Sequence, residues 1–328
     1  MNRKRKSVID RNEISKLCTF RLGGYDQKVL IEGRRETLPV VVTLHGGPGT
    51  PIPFSVGCRG LFPEFTDKFI MVYWDQLGCG INNHVIDEHF RIESFADMTA
   101  DLLREIRRMF PGRKILLFAT SWGSILSAKV LERAEGLADA AVVCGQFVKD
   151  VFLNGEVFSE LERSGLPAKK LRAIKNIRSD YVEPKELQLI SGSLRRYTNA
   201  YTNKSGKQAP MGRMVLGLLG SPDYRLKDFK AVVINGYLNN ISLWREIMKV
   251  DLTETLAGIR VPYTILQGDT DIVTSTKTVQ ALVEKSGNPN LQCKVVANTG
   301  HMPGSDMMEK VFQELTEQAF CDIVDKTK

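Results

Sequence analysis

Short runs of β-branched and other apolar residues alternate with amphipathic stretches along residues 1–146 of the chain. The runs are typical of buried strands, and the amphipathic stretches repeat apolar residues every three to four positions, as one face of a helix does. This alternation predicts an α/β fold with a mostly parallel, doubly wound sheet and helices on both faces. The strands predicted in this part are residues 28–32, 39–44, 69–74, 114–119 and 140–144.

Two helices are predicted between these strands. The first covers residues 94–110, with Ser94 as its N-cap and apolar residues at helical spacing along one face. The second begins directly after Ser121 and runs to about Glu135. Both helices follow a strand and precede the next one, as the crossover connections of a parallel sheet require.

The alternation stops at residue 147, and helical patterns broken by Gly and Pro continue to residue 258. Strand and helix patterns then resume, with strands predicted at 261–267 and 291–297, a helix at about 277–286, and a terminal helix from Ser305. The sequence therefore predicts one α/β core in two parts, residues 1–146 and 259–328, with a helical cap domain at residues 147–258 inserted between them.

Ser121 stands where the apolar strand at 114–119 meets a helix. A nucleophile on such a tight strand-to-helix turn needs small residues two positions before and after it, and Ala119 and Gly123 supply them. The amides at the start of a helix also favour negative charge beside the serine. The alternative is that Ser121 only caps the helix, which is the commoner role of such a serine.

A glycine-rich turn, His-Gly-Gly-Pro-Gly at residues 45–49, follows the strand at 39–44. Glycines let backbone amides approach a reacting atom closely, and a turn at this place supplies half of an oxyanion hole. We assign the two donors of this site to the amides of Gly47 and Trp122. Glycine turns after strands are also common as purely structural features.

An acid and a histidine follow the last two predicted strands. Asp271 and His301 come after Ser121 in the order nucleophile, acid, histidine. In that arrangement His301 takes the proton of Ser121 and the carboxylate orients the imidazole. Asp269 is a competing acid, but Asp271 is preferred because a turn residue is needed between the strand end and the acid.

Three motifs together resemble the proline iminopeptidase family, whose members are capped α/β-hydrolases that remove an N-terminal residue, typically proline. They are the glycine turn at 45–49, Tyr-Trp-Asp-Gln-Leu-Gly-Cys-Gly at 73–80, and Ser-Trp-Gly-Ser at 121–124. The resemblance covers most of residues 39–146 and, more loosely, 261–303. It implies the same five site residues, namely Ser121 as nucleophile, Asp271 and His301 as its partners, and Gly47 and Trp122 as oxyanion donors.

The chain departs from the family pattern at positions that bear on its substrate. Leu77 stands where the family usually has arginine, and Ala119 where it has glycine. Members of the family hold the substrate's free amine with carboxylates of the cap, and this signature is missing from residues 147–258. The candidates by composition alone are Glu156, Glu160, Glu183, Glu186 and Glu246.

Charge adds a second question about the substrate. Residues 147–258 carry 18 Lys and Arg against 12 Asp and Glu, so they hold most of the net charge of +7. Solvated helix faces explain this surplus, but a positive field would also attract an anionic substrate. Such a field would count against an amine-recognising peptidase, but the family resemblance makes an aminopeptidase acting on short peptides with N-terminal proline or a similar small residue the leading hypothesis. The alternatives are a carboxylesterase, amidase or lactonase acting on a small acyl substrate, and a non-catalytic binding protein on the same fold.

Composition and short motifs bear on the cofactors, the partners and the cellular location of the protein. The six cysteines form no C-x-x-C pair, and no metal-ligand or dinucleotide-binding motif is present, so neither a disulfide framework nor a metal or other cofactor is expected. Cys79, in a Gly-Cys-Gly turn, reads as a structural thiol or as one close to the site. No nucleic-acid or membrane partner is expected, and the basic start lacks the apolar stretch of a signal peptide, which favours a cytoplasmic enzyme.

Overall fold

A computed structural model describes residues 3–207, 211–233 and 240–320, and the side chains of Met211, Arg213 and Val233 are not described. Within these residues a single sheet of eight strands runs through the molecule. Its strands are Ile14–Leu22 (β1), Tyr25–Gly33 (β2), Val40–Leu44 (β3), Ile70–Tyr73 (β4), Ile115–Thr120 (β5), Ala140–Cys144 (β6), Tyr263–Gly268 (β7) and Leu291–Val296 (β8).

The strand order is β1-β2-β4-β3-β5-β6-β7-β8. β2 pairs antiparallel with both β1 and β4, and all later neighbours pair in parallel. Parallel neighbours end at the same edge of a sheet, so the loops after β3, β5, β7 and β8 meet there. The mostly parallel, doubly wound sheet predicted from the alternating pattern is confirmed, and every predicted strand is found within a few residues of its expected bounds.

Helices cover both faces of the sheet, and others lie between β6 and β7. The helices before and within the first part are Arg3–Arg11 (α1), Pro63–Thr66 (α2), Ile92–Met109 (α3) and Trp122–Arg133 (α4). Those between β6 and β7 are Gly155–Arg163 (α5), Ala168–Lys175 (α6), Pro184–Tyr197 (α7), Met211–Leu219 (α8), Leu226–Val233 (α9), Ile241–Met248 (α10) and Thr253–Ala257 (α11). The last two are Thr276–Ser286 (α12) and Ser305–Phe320 (α13).

Successive side chains of β3 pack into different cores on the two faces of the sheet. Val40 and Val42 pack into a core shared with α3, α4 and α12, whereas Val41 packs into a second core with α2 and α13. Successive side chains of a strand point to opposite faces, so a strand covered on both sides is apolar at every position. This is why β3, β5 and β6 could be recognised as short continuous apolar runs.

The predicted N-cap of α3 is wrong. The helix begins at Ile92 with Arg91 as the N-cap residue, and Ser94 is its third residue. The Ser94 hydroxyl accepts a hydrogen bond from the Arg91 amide at 3.1 Å, so it supports the helix start from inside the first turn. A serine can stabilise a helix end from either position, which the periodicity of apolar residues does not distinguish.

The sequence analysis did not predict α1, the short α2 or β1. The basic start of the chain forms a helix whose Arg5 side chain is almost fully buried, at 4% exposed. Its guanidinium donates to the carbonyls of Arg59 at 2.6 Å, Gly57 at 2.6 Å and Gly217 at 2.7 Å. β1 is an edge strand buried mainly at its two ends, so its sequence lacks a regular alternation.

We call residues 147–258, which lie between β6 and β7, the insert. Where described it is helical, and the apolar faces expected in it are buried at Val157, Leu161, Ile190 and Leu194. The division into core and cap at residues 146/147 and 258/259 stays a prediction. Cys321 and the rest of residues 321–328 lie outside the described residues. Among the described helices, none is both long and apolar enough to cross a membrane.

Two helical glycines make a matched test of the packing at the carboxyl edge of the sheet. A Cβ on Gly123 of α4 would lie 2.1 Å from the Leu44 carbonyl oxygen, whereas one on Gly192 of α7 would meet nothing within 4 Å. We expect Gly123→Ala to lower the free energy of unfolding by at least ~1–3 kcal/mol because backbone must move. Gly192→Ala should raise it by ~0.5–1 kcal/mol. Urea titrations check both, and equal effects of the two substitutions would contradict the packing described.

Candidate active site

Ser121 occupies the turn between β5 and α4 in an unusual backbone conformation. Its φ is 49° and its ψ is −118°, a region that residues other than glycine rarely adopt. It stands at the N-cap position of α4, yet its side chain makes no capping hydrogen bond. The capping alternative raised by the sequence is therefore not what the hydroxyl does.

The hydroxyl of Ser121 instead meets a histidine. Its Oγ lies 2.8 Å from Nε2 of His301, and Nδ1 of the same imidazole lies 2.8 Å from Oδ2 of Asp271. The His301 side chain is 6% exposed and that of Asp271 1% exposed. With Nδ1–H donating to the carboxylate, the lone pair of Nε2 faces the serine. The three residues singled out in sequence lie in one hydrogen-bonded chain.

Asp271 is held rigidly at the end of β7. Its Oδ1 accepts the amides of Val273 at 2.9 Å and Thr274 at 3.0 Å, and its Oδ2 accepts the Thr274 hydroxyl at 2.9 Å. Asp269, the competing acid, accepts the amides of Asn298 and Thr299, both at 2.9 Å, and so ties the β7 loop to the histidine loop. The preference for Asp271 agrees with this geometry, and Asp269 supports the loop.

The glycine turn after β3 packs directly against the serine. A Cβ on Gly46 would lie 3.3 Å from the Cβ of Ser121, and Gly47 has a φ of +116° that suits glycine alone. Among the described residues, neither the Gly47 amide nor the Trp122 amide donates to another residue. Gly47 is thus the next residue after the glycine that packs on Ser121, and Trp122 directly follows the serine; their role as oxyanion donors stays a prediction.

Behind the turn, His45 is buried and neutral. Its Nδ1 lies 2.9 Å from the Gly46 carbonyl oxygen, and its Nε2 accepts the Gln76 amide at 3.0 Å. Burial lowers the pKa of His45 to about 4 because the imidazolium form would be desolvated. Gln76 also accepts the indole N–H of Trp122 at 2.8 Å, so one glutamine joins the glycine turn to the residue after the serine.

Asp75 is a second buried group of the same motif, and its role was not predicted. Its carboxylate accepts the amides of Val56 and Ile81, each at 3.0 Å, and the hydroxyl of Tyr224. Burial raises the pKa of Asp75 to about 6, although these hydrogen bonds oppose the shift. The residue links the loop after β4 to the loop after the glycine turn and to the insert. The motif at 73–80 was the only sequence signal for this network.

The motif positions that depart from the family pattern are buried as well. Leu77 and Ala119 are both 0% exposed and belong to the core shared with α3 and α4. Cys79 is also fully buried, with its Sγ 3.4 Å from His45 Nε2, and burial raises its pKa well above the usual value. The thiol is thus a neutral packing partner of His45.

The insert holds the histidine loop through its segment 199–207. The amides of His301 and Met302 donate to the carbonyls of Ala200 at 2.7 Å and Tyr201 at 2.8 Å. The ring of Tyr201 stands at 90° to that of His301, with centroids 5.9 Å apart. On its other side, Arg195 lies 5.2 Å from the Tyr201 ring centroid. Tyr201 was not singled out in the sequence, because no motif surrounds it.

The carboxylates considered as amine receptors all have polar partners. Glu246 accepts the Ile92 amide at the start of α3 at 3.0 Å, and Glu156 forms an ion pair with Lys277 at 2.9 Å. Two others cap the start of α7, and the fifth pairs with an arginine one turn away at 3.3 Å. The five are Glu156, Glu160, Glu183, Glu186 and Glu246.

The chain is similar in sequence to known proteins over most of its length. Residues 39–306 match the model of a family described as having the α/β-hydrolase fold. Over 301 residues, 90% of this chain and 93% of the relative, the sequence is 21% identical to a Bacillus subtilis protein named "Probable aminopeptidase YbaC".

Two further proteins resemble parts or the whole of the chain. A proline iminopeptidase of Lactobacillus acidophilus is 35% identical over 104 residues, which are 32% of this chain and 34% of that protein. The crystal structure of a proline iminopeptidase of Mycobacterium smegmatis superimposes with a TM-score of 0.60 at 17% identity, over 92% of this chain and 97% of that one. The second likeness concerns the fold, and the first concerns about a third of each chain.

The buried His45 makes stability depend on pH. Its folded pKa of about 4 lies below the unfolded value of about 6.5, so the stabilisation is complete above pH 6.5 and is lost as pH falls toward 4. Between pH 7 and 4.5 we expect the wild type to lose ~2–3 kcal/mol more than His45→Gln. Urea unfolding at both pH values measures the difference. Asp75, whose raised pKa acts in the opposite direction, is common to both proteins, and parallel losses would contradict a neutral buried His45.

Proposed function

The chain belongs to the α/β-hydrolase family, and from that premise we propose that it is a serine hydrolase with Ser121 as nucleophile, His301 as general base and acid, and Asp271 as the orienting carboxylate. The observation that carries the proposal is the continuous hydrogen bonding from Ser121 through His301 to Asp271, at 2.8 Å for each contact. Capping and packing do not require this arrangement, whereas activation of a serine hydroxyl does.

In the proposed acylation step, Oγ of Ser121 attacks the carbonyl carbon of an ester or amide. Nε2 of His301 takes the hydroxyl proton as the new C–O bond forms, and Asp271 stabilises the imidazolium. The negative charge on the carbonyl oxygen is met by the amides of Gly47 and Trp122. Removing one donor of such a site typically costs ~100–1000-fold in kcat.

The tetrahedral intermediate then breaks down. His301 returns its proton to the leaving group, and the acyl group remains on Ser121 as an ester. Water, deprotonated by the same Nε2, attacks this acyl-enzyme and releases the acid. The strained φ of Ser121, 49°, exposes the hydroxyl at the turn instead of folding it back on the helix amides.

For the substrate we propose short peptides with a free N-terminus, from which the first residue, proline or a similar one, is removed. The support is the likeness to a protein named as an aminopeptidase over 90% of the chain. The three motifs shared with proline iminopeptidases add to it, since the site residues other than Asp271 and His301 lie within them.

A second candidate is an esterase, amidase or lactonase that acts on a small acyl substrate. It is favoured by one observation, the engagement of all five candidate glutamates with helix amides or basic side chains. A carboxylate used in this way is less available to bind an ammonium group. Both candidates use the same chemistry at Ser121 and differ in what the insert recognises.

Rates on three substrates decide between these candidates. We expect proline p-nitroanilide to be cleaved and its N-acetylated form to react at least ~100-fold more slowly, because a desolvated ammonium–carboxylate contact contributes ~3 kcal/mol or more. Short-chain nitrophenyl esters are measured in parallel. Ser121→Ala is the blank, and loss of fluorophosphonate labelling in this variant checks the nucleophile. Ester turnover with no preference for a free amine would exclude the peptidase and leave the esterase.

The two aspartates of the β7 loop form a matched pair for the proposed mechanism. Asp271→Asn should lower kcat by ~10⁴-fold, since an amide cannot hold His301 in the required tautomer. Asp269→Asn should lower kcat far less and should lower thermal stability, because Asp269 accepts two loop amides. Kinetics on the best substrate and melting curves check both. A large loss of kcat in Asp269→Asn at unchanged stability would reverse the assignment.

A further inference from the structure

An apolar cavity of about 390 Å³ has Met302, the residue that follows His301, in its wall. Its volume falls in the range of ~300–1,000 Å³ found for small-molecule sites. Residues from four parts of the fold line it, with apolar side chains in the majority. The residues used below are Ile52, Met214, Met302, Met308 and Phe312.

Two lining residues are close in sequence to parts of the proposed site, one to the histidine loop and one to the glycine turn. Met302 directly follows His301, and its side chain forms one wall. Ile52 forms another wall and is tied to the glycine turn, because its amide donates to Thr50 at 2.8 Å while the Thr50 amide donates to Gly46 at 3.1 Å. The cavity therefore borders both the segment that follows the glycine turn and the histidine loop.

The insert and the core each add a wall. Met214 of α8 comes from the insert, whereas Met308 and Phe312 belong to α13 of the core. Methionine side chains are flexible and polarisable, so they fit apolar groups of varied shape. Met214 and Met308 take no part in the proposed catalytic chain, so they can decide specificity without taking part in the chemistry.

We propose that this cavity binds an uncharged apolar group of the substrate, an alkyl chain of medium length, while the scissile carbonyl lies at Ser121. The inference rests on the serine hydrolase function proposed above and, within it, names the substrate class of the second candidate, the esterase. Two carboxylates, Glu64 and Glu309, also line the cavity. They disfavour a chain that ends in a carboxylate, since like charges would be brought together.

Two series of esters test the proposal and show which part of the substrate enters the cavity. In one series the acyl chain of p-nitrophenyl esters grows from acetate to octanoate, and in the other the alkyl leaving group of acetate esters grows by the same steps. Each methylene that becomes fully buried should raise kcat/KM by up to ~4-fold. We expect a rise of at least ~10-fold along one of the two series. A flat profile in both, with turnover that depends on Ser121, would overturn the cavity proposal and leave the serine hydrolase intact.

Filling the cavity supplies the second measurement. Met214→Trp should lower the octanoate-to-acetate ratio of kcat/KM, or the corresponding leaving-group ratio, at least ~10-fold by occupying the space of the chain. Leu219→Trp is the matched control on the same helix, because Leu219 is 53% exposed and does not line the cavity. Its ratio should equal that of the wild type. Met308→Trp repeats the test from the core side in case the first variant does not fold.

The outcomes separate the two proposals. A ratio that falls in Met214→Trp or Met308→Trp but not in Leu219→Trp supports the cavity as the chain-binding site. An unchanged ratio in folded variants of both methionines overturns it. Absence of any Ser121-dependent turnover or labelling would defeat the proposed function itself, and the cavity proposal with it.

Discussion

The close approach of two backbone turns is the constraint on which the rest of this site depends. The turn that carries Ser121 packs against the end of β3 so tightly that Gly123 lies directly on the Leu44 carbonyl. Gly46 also packs against the serine, where an added Cβ would lie 3.3 Å from the Ser121 Cβ. Only residues without a Cβ allow this packing, and the strained φ of Ser121 persists because both turns over-determine it. The serine is thereby exposed beside two amides that no other described residue uses.

A buried polar network holds those turns in register. The neutral His45 accepts from the Gln76 amide and contacts the Gly46 carbonyl, while Gln76 accepts from the indole of Trp122. Each of these groups would be costly to bury alone, but in the network every polar atom named has a partner. The motif residues around the site therefore hold its geometry, and the chemistry is assigned to only three side chains.

The insert contributes in a different way, since it contacts the histidine loop and the cavity rather than Ser121 itself. Carbonyls of segment 199–207 accept hydrogen bonds from the amides of His301 and Met302, and Met214 of α8 lines the apolar cavity. A movement of the insert would then shift the proposed base and the proposed chain-binding site together. The insert thus contacts the histidine loop and contributes one wall of the cavity, whereas the other lining residues lie outside it.

Much of the fold and of the proposed site followed from the sequence alone. The parallel strands were recognisable because burial on both faces makes them apolar throughout, and the order of Ser121, Asp271 and His301 followed from the fold that those strands predict. The sequence also indicated that small residues surround Ser121.

Tertiary structure alone decided three other matters. Arg5 became the anchor of a helix because distant carbonyls surround it. The five insert glutamates found partners elsewhere, and Met214, Met302 and Phe312 came together around one cavity. These features depend on contacts between residues far apart in the chain, which periodicity and local motifs do not encode.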